Sequence, residues 1–147
     1  MSIWQHQVDP ATANGWSRGT AAEALGIEIV EIGPDFVRGT MPVDQRTRQP
    51  FGLLHGGASV LLAETLGSFA ANLCLDPRTS LAVGLEINAN HLRATRAGHV
   101  TGTARPLHLG RTTQVWEIRI ENERGEPTCV SRLTMAVVPH RTEPASA

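Results

Sequence analysis

The chain has 147 residues, enough for one domain with a real core and too few for two ordinary ones. With 41% hydrophobic and 18% charged residues and a formal net charge of −1, it has the balance of a soluble globular protein. That balance excludes an electrostatic footprint for nucleic acid, so an anionic ligand must be held by a local basic cluster.

Residues 1–8 are expected to be loosely ordered. The opening MSIWQHQVDP lacks a basic segment followed by an apolar run, so no secretory signal is expected and the cytoplasm is the expected compartment. Asp9-Pro10 offers an N-cap with proline at the first helical position. Thr20-Ala21-Ala22-Glu23 matches a capping box, predicting a second short helical turn that ends near Gly26. From Ile27 the apolar period changes to two, an imperfect strand over 27–32. Gly33-Pro34-Asp35 is a turn signal, and 36–43 returns as a second strand, completing a hairpin.

Residues 44–54 read as a polar loop that becomes apolar as it approaches a long helix over about 57–75, which Asp76-Pro77 stops. This stretch is apolar enough to suggest a membrane span. Glu64 near its centre, with Ser59, Thr65, Ser68 and Asn72, fits a buried helix better. Four strands follow, over 81–94, 100–108, 113–122 and 128–138. Segment 139–147 is a polar tail with nothing to pack. Cys74 and Cys129 have no CxxC partner and read as small apolar residues of a reducing compartment.

A hairpin, one long apolar helix and four long strands imply an α+β domain spanning 1–147, an antiparallel β-sheet wrapped around a central helix. One sheet covers one side of that helix. Dimerisation, helix beside helix, is the simplest cover for the other.

The chemistry concentrates in QPFGLLHGGASVLLAE, residues 49–64. Gly56-Gly57 at a helix start leaves unpaired N–H groups beside the positive end of the dipole, suited to a developing oxyanion. The dipeptide alone fits a tight loop-to-helix turn better than an oxyanion site. Glu64 is a lone charge with little polar company, and a solvent-facing stripe would normally carry several charges. A carboxylate so placed suits attack on a carbonyl carbon, as nucleophile or as general base. Eight positions separate Gly56 from Glu64, roughly 12 Å along one helix. A reacting carbonyl needs both groups within about 3 Å. One helix cannot supply both, whereas two antiparallel helices across a two-fold axis can, which predicts sites shared between subunits. Ser68, four residues after Glu64, lies on the same face.

The run QPFGLLHGGASVLLAE, followed by VGLEINANHLR and PLHLG, resembles the hotdog-fold acyl-CoA thioesterases, in the branch of the hydroxybenzoyl-CoA thioesterases and the 1,4-dihydroxy-2-naphthoyl-CoA hydrolases. The resemblance covers nearly the whole chain, from about residue 3 to 138. It implies the hotdog fold, hydrolysis of acyl-CoA thioesters, and helix-to-helix dimers that associate into homotetramers. It places Glu64 as the catalytic carboxylate and Gly56 as the backbone donor to the carbonyl. Gln49 and His55 match residues that position the thioester or the water, and Ser68 matches a hydroxyl residue of the partner helix. Gly84, His91, Arg93, His108, Gly110 and Arg111 fall at coenzyme A contact positions. Ala94 and Ala97 depart from the family, where many relatives have a serine and an acidic residue.

No metal is expected, because the six histidines show no HExxH or HxH spacing. No cofactor is implied, coenzyme A being part of the substrate. No G-x-S-x-G elbow, phosphate loop or dinucleotide fingerprint is present. A non-catalytic acyl-CoA-binding hotdog and a thioesterase for carrier-protein-bound acyl groups are the alternatives, and Glu64 argues against the first. Phe51, Leu53, Leu54 and Phe69 suit an aromatic or a medium-chain acyl group alike.

Overall fold

A computed structural model describes residues 1–141. Two short helices, α1 (Pro10–Trp16) and α2 (Ala21–Ala24), precede the hairpin of β1 (Glu28–Ile32) and β2 (Val37–Pro42). The long helix α3 (Gly56–Leu73) follows, then β3 (Ser80–His91), β4 (His99–Leu109), β5 (Thr113–Glu121) and β6 (Pro127–Pro139). All pairings are antiparallel, in the order β1-β2-β4-β5-β6-β3, so β1 and β3 are the edges. α3 packs across β2, β3, β4, β5 and β6. The expected α+β architecture is this one: a sheet curled around a single central helix.

The imperfect alternation at the first strand has a physical cause. A β-bulge between Ile29 and Glu31 turns Val30 outward, while Ile27 and Ile29 stay buried. The long helix starts one residue earlier and ends two residues sooner than its composition suggested. His55 caps its start and Cys74 its end.

On α3 the buried positions form two adjacent rows, Ala58, Leu62, Leu66, Ala70 and Ser59, Ala63, Gly67, Ala71. Small residues let the helix sit close to the sheet. Gly39 of β2 pairs with Gly102 of β4, and a Cβ on either would lie 2.6 or 2.8 Å from a Leu66 methyl. Leu66 therefore occupies a hollow that two glycines create. Fully buried Trp116 fills the core beyond α3 and donates its indole N–H to Gln114 at 2.9 Å.

Residues 1–8 are more firmly placed than their composition implied. Trp4 stacks on Trp116 with ring centroids 6.3 Å apart and donates to the Gly33 carbonyl at 2.7 Å. The Ile3 and Gln5 N–H groups donate to Pro34 and Leu73. The expectation that 139–147 has nothing to pack also fails at its start. Pro139 ends β6 and the His140 N–H donates to Thr79 at 2.9 Å. Residues 142–147 lie outside the described residues.

Both cysteines are free thiols. Burial pushes Cys74 up to about 11 and raises Cys129 as well, so both behave as packing residues. Among the described residues no helix is long and apolar enough to cross a membrane.

Candidate active site

The loop between β2 and α3 is tied down by its own polar groups. Buried Thr47 donates its hydroxyl to the Pro42 carbonyl at 2.7 Å, and its carbonyl accepts from the His55 N–H at 2.7 Å. The Leu54 N–H reaches Thr95 at 2.8 Å, which fixes the loop against the segment after β3. Inside this frame the Gln49 carbonyl accepts from Gly52 and its side-chain oxygen accepts from the Phe51 N–H. Among the described residues the Gln49 amide nitrogen has no partner. Phe51 stands at the loop tip, 84% exposed.

His55 is the N-cap of α3. Its ring Nδ1 accepts from the Gly57 N–H at 2.8 Å, so the neutral ring carries its proton on Nε2, where it can donate. The Ala58 and Ser59 N–H groups both reach the His55 carbonyl. Of the first-turn donors, the Gly56 N–H alone lacks an acceptor among the described residues. The His91 ring lies over this glycine, with Nε2 2.8 Å from where a Cβ would stand. Gln49, Gly56, His91 and Arg93 line one cleft of about 390 Å³ together with Leu53 and Leu54. Arg93 is ion-paired with Glu126 at 3.1 Å.

Glu64 sits two turns further along α3, half-buried, with no hydrogen bond or ion pair among the described residues. Its carboxylate lies against Gly84 of the edge strand β3, where a Cβ would stand 2.6 Å from Oε1. A β-bulge between Gly84 and Glu86 marks the same point. Nothing in the sequence pointed to this contact. Nor did it show that the Asn72 side chain, two turns on from Glu64, would hold both backbone groups of Ala82 in β3, at 2.8 and 3.2 Å. Leu61, Glu64, Ser68 and Asn72 form a partly buried row of α3, at the margin where the helix meets β3 and β6.

Within the chain the expected residues therefore form three groups. The first is the cleft of Gln49, Gly56, His91 and Arg93, with His55 beside it. Glu64, Gly84 and Ser68 make the second, and Ser68 also lines a separate cavity of about 780 Å³. The third is the turn after β4, where a Cβ on Gly110 would lie 2.5 Å from the His108 ring and exposed Arg111 follows. Among the described residues no cluster of His, Cys, Asp or Glu could hold a metal ion.

The family model of the thioesterase superfamily matches residues 51–129. A Pseudomonas aeruginosa thioesterase, solved as a glutamine-to-alanine variant, matches with a TM-score of 0.93 and 51% identity over 95% of this chain and 100% of that one. The 1,4-dihydroxy-2-naphthoyl-CoA hydrolase of Escherichia coli is 50% identical over 92% of this chain and 99% of its own length. A Staphylococcus aureus thioesterase is 38% identical, with a TM-score of 0.78, over 80% of this chain and 98% of its own. That protein has been solved with a glutamine and a glutamate separately replaced by alanine, fifteen positions apart. Gln49 and Glu64 have the same separation.

Proposed function

We propose, from the premise that this chain belongs to the thioesterase superfamily and is a thioester hydrolase, that it cleaves acyl-CoA with Glu64 of one subunit and the Gly56 N–H of its partner. One observation carries the assignment: a half-buried carboxylate without a hydrogen-bonding or ionic partner among the described residues, on a row of α3 that is only partly buried. A structural carboxylate in that position would be expected to have a hydrogen-bonded partner. The Glu64–Gly56 rise along α3 still forbids one helix from presenting both groups to one carbonyl.

The reaction needs three groups. The thioester oxygen takes the unpaired Gly56 N–H, and the helix dipole supports the negative charge that develops there. Glu64 removes a proton from water as the water oxygen bonds to the carbonyl carbon, or its own oxygen forms that bond and water later opens the anhydride. The tetrahedral intermediate collapses, the C–S bond breaks, and coenzyme A leaves as thiolate and takes up a proton. Gln49, through its amide N–H, and His55, through Nε2–H, orient the thioester or the water. The Ser68 hydroxyl stands one turn beyond the carboxylate. His91 and Arg93 beside Gly56, together with Gly84, His108, Gly110 and Arg111, are the proposed contacts for the coenzyme.

A homodimer is part of this proposal: the partly buried positions of α3 include Leu61 and Phe69 beside the carboxylate. The free edge of β3 adds Val83, 41% exposed, and Leu85, 62% exposed. An unpaired edge with apolar side chains needs a partner. Association of such dimers into a homotetramer follows the family resemblance. Thiol release from a panel of acyl-CoAs by wild type and Glu64→Ala tests the assignment. Loss of turnover with retained fold supports it; equal turnover by both proteins removes Glu64 from the chemistry.

A further inference from the structure

The larger cavity opens between α1 and the C-terminal half of α3. Ser68, Phe69 and Leu73 of α3 form one wall, and Val8 and Trp16 face them. Trp16 is the last residue of α1. Its ring lies 6.1 Å from that of Phe69, tilted by 49°, yet the residue is 58% exposed. The helix that carries it is pinned. Asn14 bonds both backbone groups of Ile29 on β1, at 2.8 and 2.9 Å, and Ala13 is buried against the core. Asp9 caps the start of α1 by accepting from the Thr12 N–H at 2.7 Å.

An indole held in one place over a cavity, more than half open to water, is a preformed apolar wall. The cavity adjoins the candidate site, because Ser68 lines it and lies one turn from Glu64 on α3. We infer that the acyl body of the substrate occupies this cavity and that Trp16 is a specificity-determining wall. Acyl groups long or broad enough to reach from Ser68 to Trp16, aromatic or medium-chain, are then favoured over short ones. This rests on the reading that the thioester carbonyl sits beside Glu64 and Ser68.

The probes are S-ethyl- and S-decyl-coenzyme A, thioethers that cannot be hydrolysed, titrated into the full chain by calorimetry. Wild type binds the decyl compound more tightly than the ethyl compound. Trp16→Ala is expected to cut that preference about tenfold, from lost apolar contact, and Trp16→Phe to keep most of it. With hydrolysable acyl-CoAs the same change raises KM for decanoyl-CoA more than for acetyl-CoA, while kcat moves little. No decyl preference in wild type, an undiminished preference in Trp16→Ala, or an equal loss for both probes overturns the assignment. Trp16→Phe provides the comparison if the alanine variant does not fold. Active Glu64→Ala would remove the catalytic reading and leave this binding measurement intact, so the two failures are distinguishable.

Discussion

The Glu64 carboxylate rests on the bare backbone of Gly84, so close that a Cβ there would stand 2.6 Å from Oε1. Glycine at 84 thus sets where the carboxylate lies. Gly84→Ala would push the flexible end of Glu64 aside by about an ångström, a displacement that can cost about 100-fold in rate. The folded state should lose little, since the contact is with the tip of a side chain. Thiol-release kinetics beside a thermal melt separate the two effects. Unchanged kcat in a folded Gly84→Ala protein would show that the carboxylate need not be held there.

His55 has two separable tasks. Its Nδ1 caps α3 through the Gly57 N–H, and in the proposed mechanism its Nε2–H acts on substrate or water. His55→Ala should cost about 1 kcal/mol of stability by loss of the cap. His55→Asn supplies a cap oxygen without the imidazole donor. It should restore most of the melting temperature and leave kcat depressed. Full recovery of turnover by asparagine would reduce His55 to a cap.

The seat of Leu66 gives a test of the fold that owes nothing to catalysis. Gly102→Ala brings a methyl within 2.8 Å of a Leu66 methyl and should destabilise by about 1–3 kcal/mol through overpacking. Leu66→Val in the same chain should recover part of that, a coupling of more than about 0.5 kcal/mol. Gly39→Ala should resist the same rescue, because its new Cβ also lies 2.9 Å from the backbone oxygen of Glu28. Denaturant melts of the single and double variants decide this. Simple additivity at Gly102 and Leu66 would contradict the packing account.

These contacts mark the boundary of what the sequence makes legible. Patterning located every strand and α3; β3 is mostly exposed, whereas β2, β4, β5, β6 and α3 bury regularly spaced residues whose period is visible in one dimension. The lone charge at Glu64 and the glycines at 56 and 57 were visible for the same reason. Gly84 carries no such signal, because its role depends on a long-range contact with Glu64 of α3, beside a β-bulge. Trp4 and Trp16 were invisible as anchors, since a tryptophan in a short polar segment does not reveal which distant ring it meets. The N-terminal eight residues were misjudged for that reason. Their order comes from long-range contacts to Gly33, Pro34 and Leu73.

A site shared between subunits, as proposed, predicts complementation, and the start of α3 allows a clean lesion for testing it. Gly56 is the first residue of the helix, and His55 before it has φ −69° and ψ 131°, a conformation that a following proline accepts. Gly56→Pro therefore deletes the one spare N–H without moving the backbone, and should lower kcat about 100- to 1000-fold. Its ring atoms would also press on His91, so Gly56→Ala, which adds a Cβ and keeps the donor, is the control. Co-expressing Gly56→Pro and Glu64→Ala chains under separate tags gives mixed dimers. In each, one site carries both lesions and the other carries neither. Half of all dimers would be mixed and half of their sites intact, so about a quarter of wild-type activity should return from two nearly inactive parents. Mixed dimers verified by both tags and no more active than their parents would place Glu64 and Gly56 in separate sites.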